Sequence, residues 1–262
     1  MALLHTLRSR LKAFRRRQAE RDAIATCVSY PKAGRTWLRV MLDELDLPLA
    51  WKHDGSQHTR AIPWNSYSPC SGRYGAYRGQ RLLLLFRDPR DTAVSGFFQR
   101  SRRREQGYAG TVGDFLRDPC HGLEKIARFN MAWLQRGDSH GLPFAAVSYE
   151  GLRQDTAQGL ARIVGFLDPG QLISPETFTA TVEQCSFATM QERERSGSLA
   201  ARYGERLRPA DPGDTESFKV RRGKVGGYVD YLDEADQRWC QETLDRLGYD
   251  RCLEENRQRL LI

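Results

Sequence analysis

Apolar residues along this chain form short continuous runs that alternate with segments of helical spacing, a pattern typical of an α/β protein. The runs at residues 24–30, 81–86 and 143–149 predict three buried strands of a parallel sheet, because a strand covered on both faces carries apolar side chains at nearly every position. No internal repeat interrupts the pattern. We therefore predict one domain, residues 22–262, with a central parallel sheet flanked by helices.

Helices are predicted wherever apolar residues recur every three or four positions. They cover residues 37–45, 92–104, 113–117, 123–135, 160–166 and 234–247, and another begins near Pro175. Two stretches show neither the continuous apolar runs of buried strands nor the apolar spacing of helices. Residues 47–79 are rich in Pro, Gly, Ser and Tyr and are predicted to be irregular, and the polar residues 193–216 are predicted to form a mobile loop or lid.

The charge balance points to an anionic partner. The 262 residues include 41 Lys and Arg against 33 Asp and Glu, which gives a net charge of +8. Six cysteines are scattered without a C-x-x-C pair, which argues against a metal site and a disulfide framework and favours a reducing, cytoplasmic location. No apolar run approaches the ~18 residues that a membrane-spanning helix needs.

The first 21 residues are dense in arginine, with leucines at helical spacing. They are predicted to form a basic N-terminal helix or tail that is docked on the domain or partly frayed. The alternative is weak peripheral contact of residues 1–17 with an anionic membrane.

A short turn between the first strand and the first helix has the layout of an anion site. Helix N-termini carry unpaired N–H groups and a favourable dipole for negative charge, and Gly34 allows close approach of the backbone. Lys32, Arg35 and Thr36 add two cations and a hydroxyl. The GxxxxGK[ST] spacing of the usual phosphate-binding loop is absent, since the lysine here precedes the glycine.

This turn resembles the Y-P-K-[SA]-G-x-T-W signature of sulfotransferases that use 3'-phosphoadenosine 5'-phosphosulfate (PAPS). The resemblance implies a P-loop-like fold in which the turn holds the 5'-phosphosulfate of PAPS and the product is 3',5'-bisphosphoadenosine (PAP). It assigns Lys32 to the oxygen that bridges phosphate and sulfate, and Trp37 to stacking on the adenine. The other phosphosulfate-binding positions are Ala33, Gly34, Arg35 and Thr36.

Two later segments resemble the parts of this family that bind the 3'-phosphate. Arg87 follows the second strand and is separated from Ser95 by eight positions, as in the family's arginine–serine pair. The loop S-F-K-V-R-R-G resembles the family's F-x-R-K-G segment and assigns Arg221, Arg222 and Gly223 to the same phosphate. Arg222 replaces the more usual lysine and keeps its charge.

The adenosine-binding residues implied by the resemblance are Tyr149, Ser186 and Phe187, the last two within a segment similar to the family's T-S-F-x-x-M. Cys185 stands where a threonine is usual. The acceptor benefits from a base with a pKa near neutrality, for which histidine is suited. The candidates are His53, which is preferred because Lys52-His53 resembles the family's K-x-H segment, and His58, and neither is required by the pattern.

The function predicted from these motifs is sulfuryl transfer from PAPS to a hydroxyl or amine of a small-molecule or glycan acceptor, with no metal. The acceptor pocket is expected to form from residues 47–79, 107–115 and 193–216. One alternative is a kinase-like phosphotransferase. A less favoured alternative is a nucleic-acid-binding protein that uses the net charge and the arginine-rich residues 100–104.

Overall fold

The computed structural model describes residues 23–53, 56, 62–64, 77, 81–103, 107–137 and 141–262. The basic N-terminal segment, with the predicted membrane contact, and the candidate base His58 lie outside the described residues. No helix in the described part of the chain is long and apolar enough to cross a membrane.

A parallel sheet of four strands forms the centre of the domain, and its strand order is β2-β1-β3-β4. The strands are β1 (Ala25–Ser29), β2 (Leu49–Lys52), β3 (Arg81–Phe86) and β4 (Phe144–Ser148). Three of them are the predicted strands. The prediction that residues 47–79 are wholly irregular was wrong, because β2 lies within that stretch. Only two of its four residues, Leu49 and Ala50, are buried, so β2 lacks the continuous apolar run of its neighbours.

The helices in chain order are α1 (Arg35–Glu44), α2 (Pro89–Arg103), α3 (Val112–Arg117), α4 (Leu123–Arg136), α5 (Tyr149–Gln154), α6 (Thr156–Leu167), α7 (Pro175–Gln184), α8 (Phe187–Arg195), α9 (Ser198–Tyr203), α10 (Glu234–Leu247) and α11 (Tyr249–Glu255). Several begin at a side-chain cap that replaces the missing backbone acceptors. Thr111 and Asp114 form a reciprocal capping box on α3, and Asp233 caps α10.

The predicted loop at residues 193–216 is instead largely helical, because it contains the end of α8, the whole of α9 and two short 3₁₀ turns. Leu199 and Ala200 of α9 are buried in or beside the core. Burial of these two residues explains the error: a short helix fixed by tertiary packing needs little of the periodicity that identifies longer ones.

The core lies on both faces of the sheet, which explains why β3 is apolar at every position after Arg81. Leu83 and Leu85 pack on the side of α1 and α6, and Leu82 and Leu84 pack on the side of α2 and α4. Because all four strands are parallel, their carboxyl ends lie at one edge of the sheet, where ligand sites of such folds occur.

Candidate functional site

A cavity of about 950 Å³ lies at this edge of the sheet. Among the residues assigned from the sequence, it is lined by Lys32, Gly34, Arg35, Thr36, Trp37, His53, Arg87, Ser95, Tyr149, Phe187, Arg221, Arg222 and Gly223. The three basic segments, which are separated by more than fifty residues at each step in the sequence, therefore face one space. Its volume is in the range typical of small-molecule sites.

The turn after β1 brings backbone and charge to the cavity. Gly34 adopts a left-handed conformation (φ 96°) and precedes α1, which has no side-chain cap at its N-terminus. Lys32 also has a positive φ of 79°, a conformation that costs free energy for a residue with a side chain. The first turn of α1 is thus presented to the cavity by a strained, compact loop, an arrangement suited to an anion.

Lys32 lies in an electropositive environment. Burial lowers the pKa of Lys32 well below its usual range, and the neighbouring charges of Lys219, Arg103 and Arg221 lower this pKa further, while Glu194 raises it. The cations that surround Lys32 would be neutralised by an anion bound in the cavity.

Tyr149 joins the three basic segments. Its ring packs against Gly34, where an added Cβ would lie 2.5 Å from Tyr149 Cδ2. The guanidinium of Arg87 lies 4.4 Å above the centre of the same ring, and the Tyr149 hydroxyl donates a hydrogen bond of 3.2 Å to the carbonyl oxygen of Gly223. Trp37 contacts the ring edge-on, with the ring centres 5.7 Å apart. This packing therefore leaves no room for a side chain at position 34.

Arg87 is 12% exposed and is already held by protein groups. Its Nη2 donates to Asp91 Oδ2 at 3.0 Å and to the carbonyl oxygen of Lys224 at 2.8 Å. Its Nε is buried, makes no hydrogen bond among the described residues and lies 4.0 Å from Glu150 Oε1. Asp91 also accepts hydrogen bonds from the backbone N–H groups of Gly226 and Tyr228, each at 2.9 Å, so the start of α2 fixes the glycine-containing loop.

The basic residues of that loop have carboxylate partners. Arg221 pairs with Glu216 at 2.7 Å, lies 4.4 Å above the ring of Phe98 and donates to the hydroxyl of Tyr231. Arg222 pairs with Asp230 at 2.8 Å. The first guanidinium is 12% exposed and the second 46% exposed, so Arg221 is fixed in the wall and Arg222 lies at its rim.

A buried ion pair that the sequence analysis missed supports this wall. Glu194 is fully buried, accepts hydrogen bonds from the backbone N–H groups of Lys219 (2.7 Å) and Val220 (2.8 Å), and pairs with Arg103 at 3.3 Å. Arg103 also donates to the carbonyl oxygen of Ser217. The only sequence signal was an acidic residue among polar neighbours, which is more typical of an exposed helix face.

His53 follows β2 directly and lies beside the end of β1. Its Nδ1 is 2.6 Å from the carbonyl oxygen of Ser29. Since a carbonyl oxygen only accepts hydrogen bonds, Nδ1 carries the proton and Nε2 carries the lone pair in the neutral ring. His53 lines the cavity, and its contact with Ser29 fixes the tautomer of the neutral ring.

Two assigned residues do not line the cavity. Ala33 is buried in the core at 1% exposure. Ser186 caps α8 through a 3.3 Å hydrogen bond from Thr189 N. The Cys185 side chain is also buried in the core, and its carbonyl oxygen accepts a 2.9 Å hydrogen bond from Trp37 Nε1.

Within the described ranges, no group of three or more His, Cys, Asp or Glu side chains is arranged to hold a metal ion. The cysteines described, which exclude Cys70, are all free thiols. Most charged and hydrogen-bonding side chains of the cavity are Arg, Lys, Ser and Thr, the donors that oxyanions prefer. Among the described residues, two carboxylates also line it, and each is paired with an arginine: Asp91 with Arg87 and Glu205 with Arg208.

Comparisons with known proteins agree on one family. The family model for the sulfotransferase domain matches residues 79–250, which begin after the Lys32 turn. Cytosolic sulfotransferase 17 of Arabidopsis thaliana is 23% identical over 245 residues, which cover 78% of this chain and 68% of that protein. The 3-alpha-hydroxysteroid sulfotransferase of Cavia porcellus is 23% identical, with coverage of 82% and 80%.

Two solved structures share the fold. Mouse sulfotransferase SULT7A1 complexed with PAP has a TM-score of 0.59 at 18% identity and covers 88% of both chains. Retinol dehydratase in complex with androsterone and the inactive cofactor PAP has a TM-score of 0.58 at 17% identity, with coverage of 86% of this chain and 80% of that one.

Proposed function

This chain belongs to the sulfotransferase family and is an enzyme of that class, and from this premise we propose that it transfers a sulfuryl group from PAPS to a hydroxyl or amine of a small-molecule or glycan acceptor. The observation that carries the proposal is the single cavity shared by the Lys32 turn, Arg87 and Arg221. A molecule with phosphates at both ends of an adenosine matches such a set of separated cationic groups.

The residues of the cavity fit this donor. Arg87 lines the cavity, and its guanidinium is a charged donor suited to a phosphate oxygen. Together with Ser95, Arg221, Arg222 and the backbone at Gly223, it would hold the 3'-phosphate. Lys32, Arg35, Thr36 and the start of α1 would hold the 5'-phosphosulfate, and Trp37, Tyr149 and Phe187 would contact the adenosine.

PAPS supplies the activated sulfuryl group, and the work of the protein is to position the reactants and to neutralise charge. Lys32 would hold its Nζ proton against the oxygen that bridges phosphate and sulfate, where negative charge accumulates as that bond breaks. His53 would accept the acceptor's hydroxyl proton on Nε2, because Nδ1 already donates to the Ser29 carbonyl oxygen. His58 stays the alternative base.

Small-molecule acceptors are supported by the relatives, since one is named for 3-alpha-hydroxysteroids and a structural neighbour was solved with androsterone. A cytoplasmic location is supported by scattered cysteines and by the relative named as cytosolic. We further propose that no metal takes part in the transfer, because cationic side chains predominate in the cavity and its two described carboxylates, Asp91 and Glu205, are paired with Arg87 and Arg208.

The test combines binding and transfer. We expect PAP to raise the melting temperature of the protein at micromolar concentrations, and ATP with Mg²⁺ to raise it far less. Radiolabelled PAPS should then deliver label to members of an acceptor panel of phenols, steroids, aliphatic alcohols, amines and sugars. Stronger stabilisation by ATP with Mg²⁺ than by PAP would contradict the proposal and would favour the kinase-like alternative.

A further inference from the structure

Asp91 is a buried carboxylate of the large cavity and is not among the residues assigned to a ligand. It lies in the first turn of α2 and its side chain is 3% exposed. Its Oδ2 accepts hydrogen bonds from Arg87 Nη2 at 3.0 Å and from the backbone N–H of Gly226 at 2.9 Å. Its Oδ1 accepts one from the N–H of Tyr228 at 2.9 Å. One carboxylate thus joins the end of β3 to the glycine-containing loop (residues 221–228), the two segments that would hold the 3'-phosphate.

The glycine-containing loop needs contacts from outside to keep its conformation. Gly223 and Gly226 both have positive φ values, 62° and 68°. Glycine loses more conformational freedom on folding than any other residue, so ordering this stretch costs free energy. Asp91 offsets that cost with its two hydrogen bonds, and Arg87 adds a third by donating to the carbonyl oxygen of Lys224 at 2.8 Å. The ion pair therefore holds three residues of the loop.

The same carboxylate fixes the direction of the Arg87 guanidinium. The hydrogen bonds to Asp91 and to the Lys224 carbonyl oxygen both come from Nη2, so neither uses Nη1. The guanidinium also lies 4.4 Å above the centre of the Tyr149 ring, which restricts its rotation. Because the guanidinium is planar and rigid, fixing one nitrogen fixes the direction of the other. Nη1 is therefore oriented before a ligand binds.

Asp91 has two opposing effects on an anion in this cavity. Its negative charge repels a phosphate, an effect that Arg87 and the positive end of the α2 dipole reduce. Its hydrogen bonds order the groups that would contact the phosphate, so less conformational entropy is lost when the phosphate binds. The two effects have opposite signs, so the change in affinity on removing the carboxylate shows which one is larger.

On the premise of the proposed PAPS-dependent transfer, we propose that Asp91 is a positioning residue that gives the enzyme its selectivity for 3'-phosphorylated adenine nucleotides. It acts through Arg87 and through the backbone that carries Arg222 and Gly223. The 5'-phosphosulfate half of the donor, which the Lys32 turn would hold, does not depend on Asp91.

Two nucleotides that differ only in the 3'-phosphate, PAP and 5'-AMP, test this role. Their dissociation constants are measured by calorimetry for the wild type and for Asp91→Asn. We expect the variant to bind PAP on the order of tenfold more weakly and AMP within about twofold of the wild type. Tighter PAP binding would mean that repulsion outweighs positioning, and equal losses for both nucleotides would mean a general structural role. Either result would overturn the proposal.

Asp88→Asn is the matched control, because it removes a carboxylate from the same motif. Asp88 lies outside the described lining of the cavity and pairs with Arg90 at 2.6 Å. Asparagine also retains the hydrogen bond from the Arg90 backbone N–H at the start of α2. This variant should keep the full preference for PAP over AMP, and a loss equal to that of Asp91→Asn would reject a specific role for Asp91.

Asp91→Glu separates geometry from charge. It keeps the negative charge and moves the carboxylate by one methylene group, which disturbs all three hydrogen bonds. We expect it to lose most of the preference for PAP, as Asp91→Asn does. A preference that survives in Asp91→Glu would show that the charge of Asp91, and not its position, is what matters.

Hydrogen exchange in the wild type tests the proposal without any variant, and it decides the matter if the variants do not fold. The amides of Gly226 and Tyr228 should be protected in the free protein on the order of a hundredfold or more, because Asp91 accepts their hydrogen bonds before a ligand arrives. Amides that become protected only when PAP is added would overturn the proposal, since the phosphate and not Asp91 would then order the loop.

The two proposals fail in different measurements. A wild-type protein that binds PAP no more tightly than AMP contradicts the proposed function, and the exchange of the loop amides still shows whether Asp91 holds the loop. A wild type that prefers PAP, together with an Asp91→Asn variant that keeps this preference, retains the function and removes the positioning role.

Discussion

The two walls of the large cavity hold their cations in opposite ways. In the wall formed by the turn after β1, burial lowers the pKa of Lys32, and the cations Lys219, Arg103 and Arg221 of the opposite side lower it further. In the opposite wall, Arg221 pairs with Glu216, and both Arg222 and Lys224 pair with Asp230. The first wall is electrostatically unfavourable until an anion binds, whereas the second is balanced beforehand.

This difference follows from how the walls are built. The turn is continuous in sequence, and its geometry comes from a strand end, a left-handed glycine and a helix start. The opposite wall is a long connection that Asp91 and Glu194 hold from two other helices through backbone hydrogen bonds. Local backbone geometry thus creates the wall that contains Lys32, and buried carboxylates that are distant in sequence support the opposite wall.

Removal of Glu194 should have the largest effect, because it breaks the supporting wall. Glu194→Ala leaves Arg103 buried without its charge partner and frees the N–H groups of Lys219 and Val220. We expect a loss of about 3–5 kcal/mol in the free energy of unfolding, measured with urea. Glu192→Ala is the matched control on the same helix, since Glu192 is 63% exposed and should contribute under about 1 kcal/mol. Equal losses in both variants would contradict a supporting role for Glu194.

Lys32→Met should separate activity from stability. It removes the charge that we propose to lie beside the breaking bond, and we expect kcat to fall by about 10²–10³-fold. The unfolded chain holds the Lys32 proton more tightly than the folded protein, so this lysine costs folding free energy at neutral pH, and the cost fades as the pH rises towards ~10.4. The variant should therefore melt at the same or a higher temperature at pH 7. A Lys32→Met variant that keeps nearly the wild-type kcat, or that is clearly less stable than the wild type, would refute this account.

A buried arginine, Arg87, and an arginine at the rim of the cavity, Arg222, can be compared in one assay. Arg87→Met should weaken PAP binding by about 10–100-fold, because a charged hydrogen bond contributes about 1.5–3 kcal/mol where solvent is excluded. Arg222→Met should weaken it by under about fivefold, since Arg222 is 46% exposed and already paired with Asp230. Calorimetry with PAP measures both affinities. The reverse order would mean that the rim, and not the strand end, binds the phosphate.

The sequence was sufficient wherever structure is local. The apolar runs predicted β1, β3 and β4, and contiguous motifs identified the Lys32 turn and the arginine at the end of β3. Because the carboxyl ends of parallel strands meet at one edge, the motifs were expected to share one site, and the cavity brings them together.

The features missed by sequence analysis depend on tertiary contacts. Only two of the four residues of β2 are buried, so its composition does not identify it as a strand. Its hydrogen-bonded pairing with β1 does. That pairing sets Ser29 beside His53, a contact that no spacing in the sequence indicates. The burial of Glu194 likewise depends on segments that meet only in the fold.

The contrast between the walls also predicts a proton linkage, which is the smallest of the expected effects. The phosphates of PAP should raise the pKa of Lys32, so the complex holds more protons than the free protein, and binding should take up a fraction of a proton. Affinity should then fall with rising pH, by at most about tenfold per pH unit.

Calorimetry between pH 7.5 and 9, in buffers of different ionisation enthalpy, measures the proton uptake above the phosphate's own titration near ~6. Lys32→Met should abolish the uptake, whereas Arg222→Met should retain it, because a guanidinium does not titrate in this range. Equal uptake in the wild type and Lys32→Met would show that another group accounts for the linkage and that the turn carries its full charge before the anion arrives.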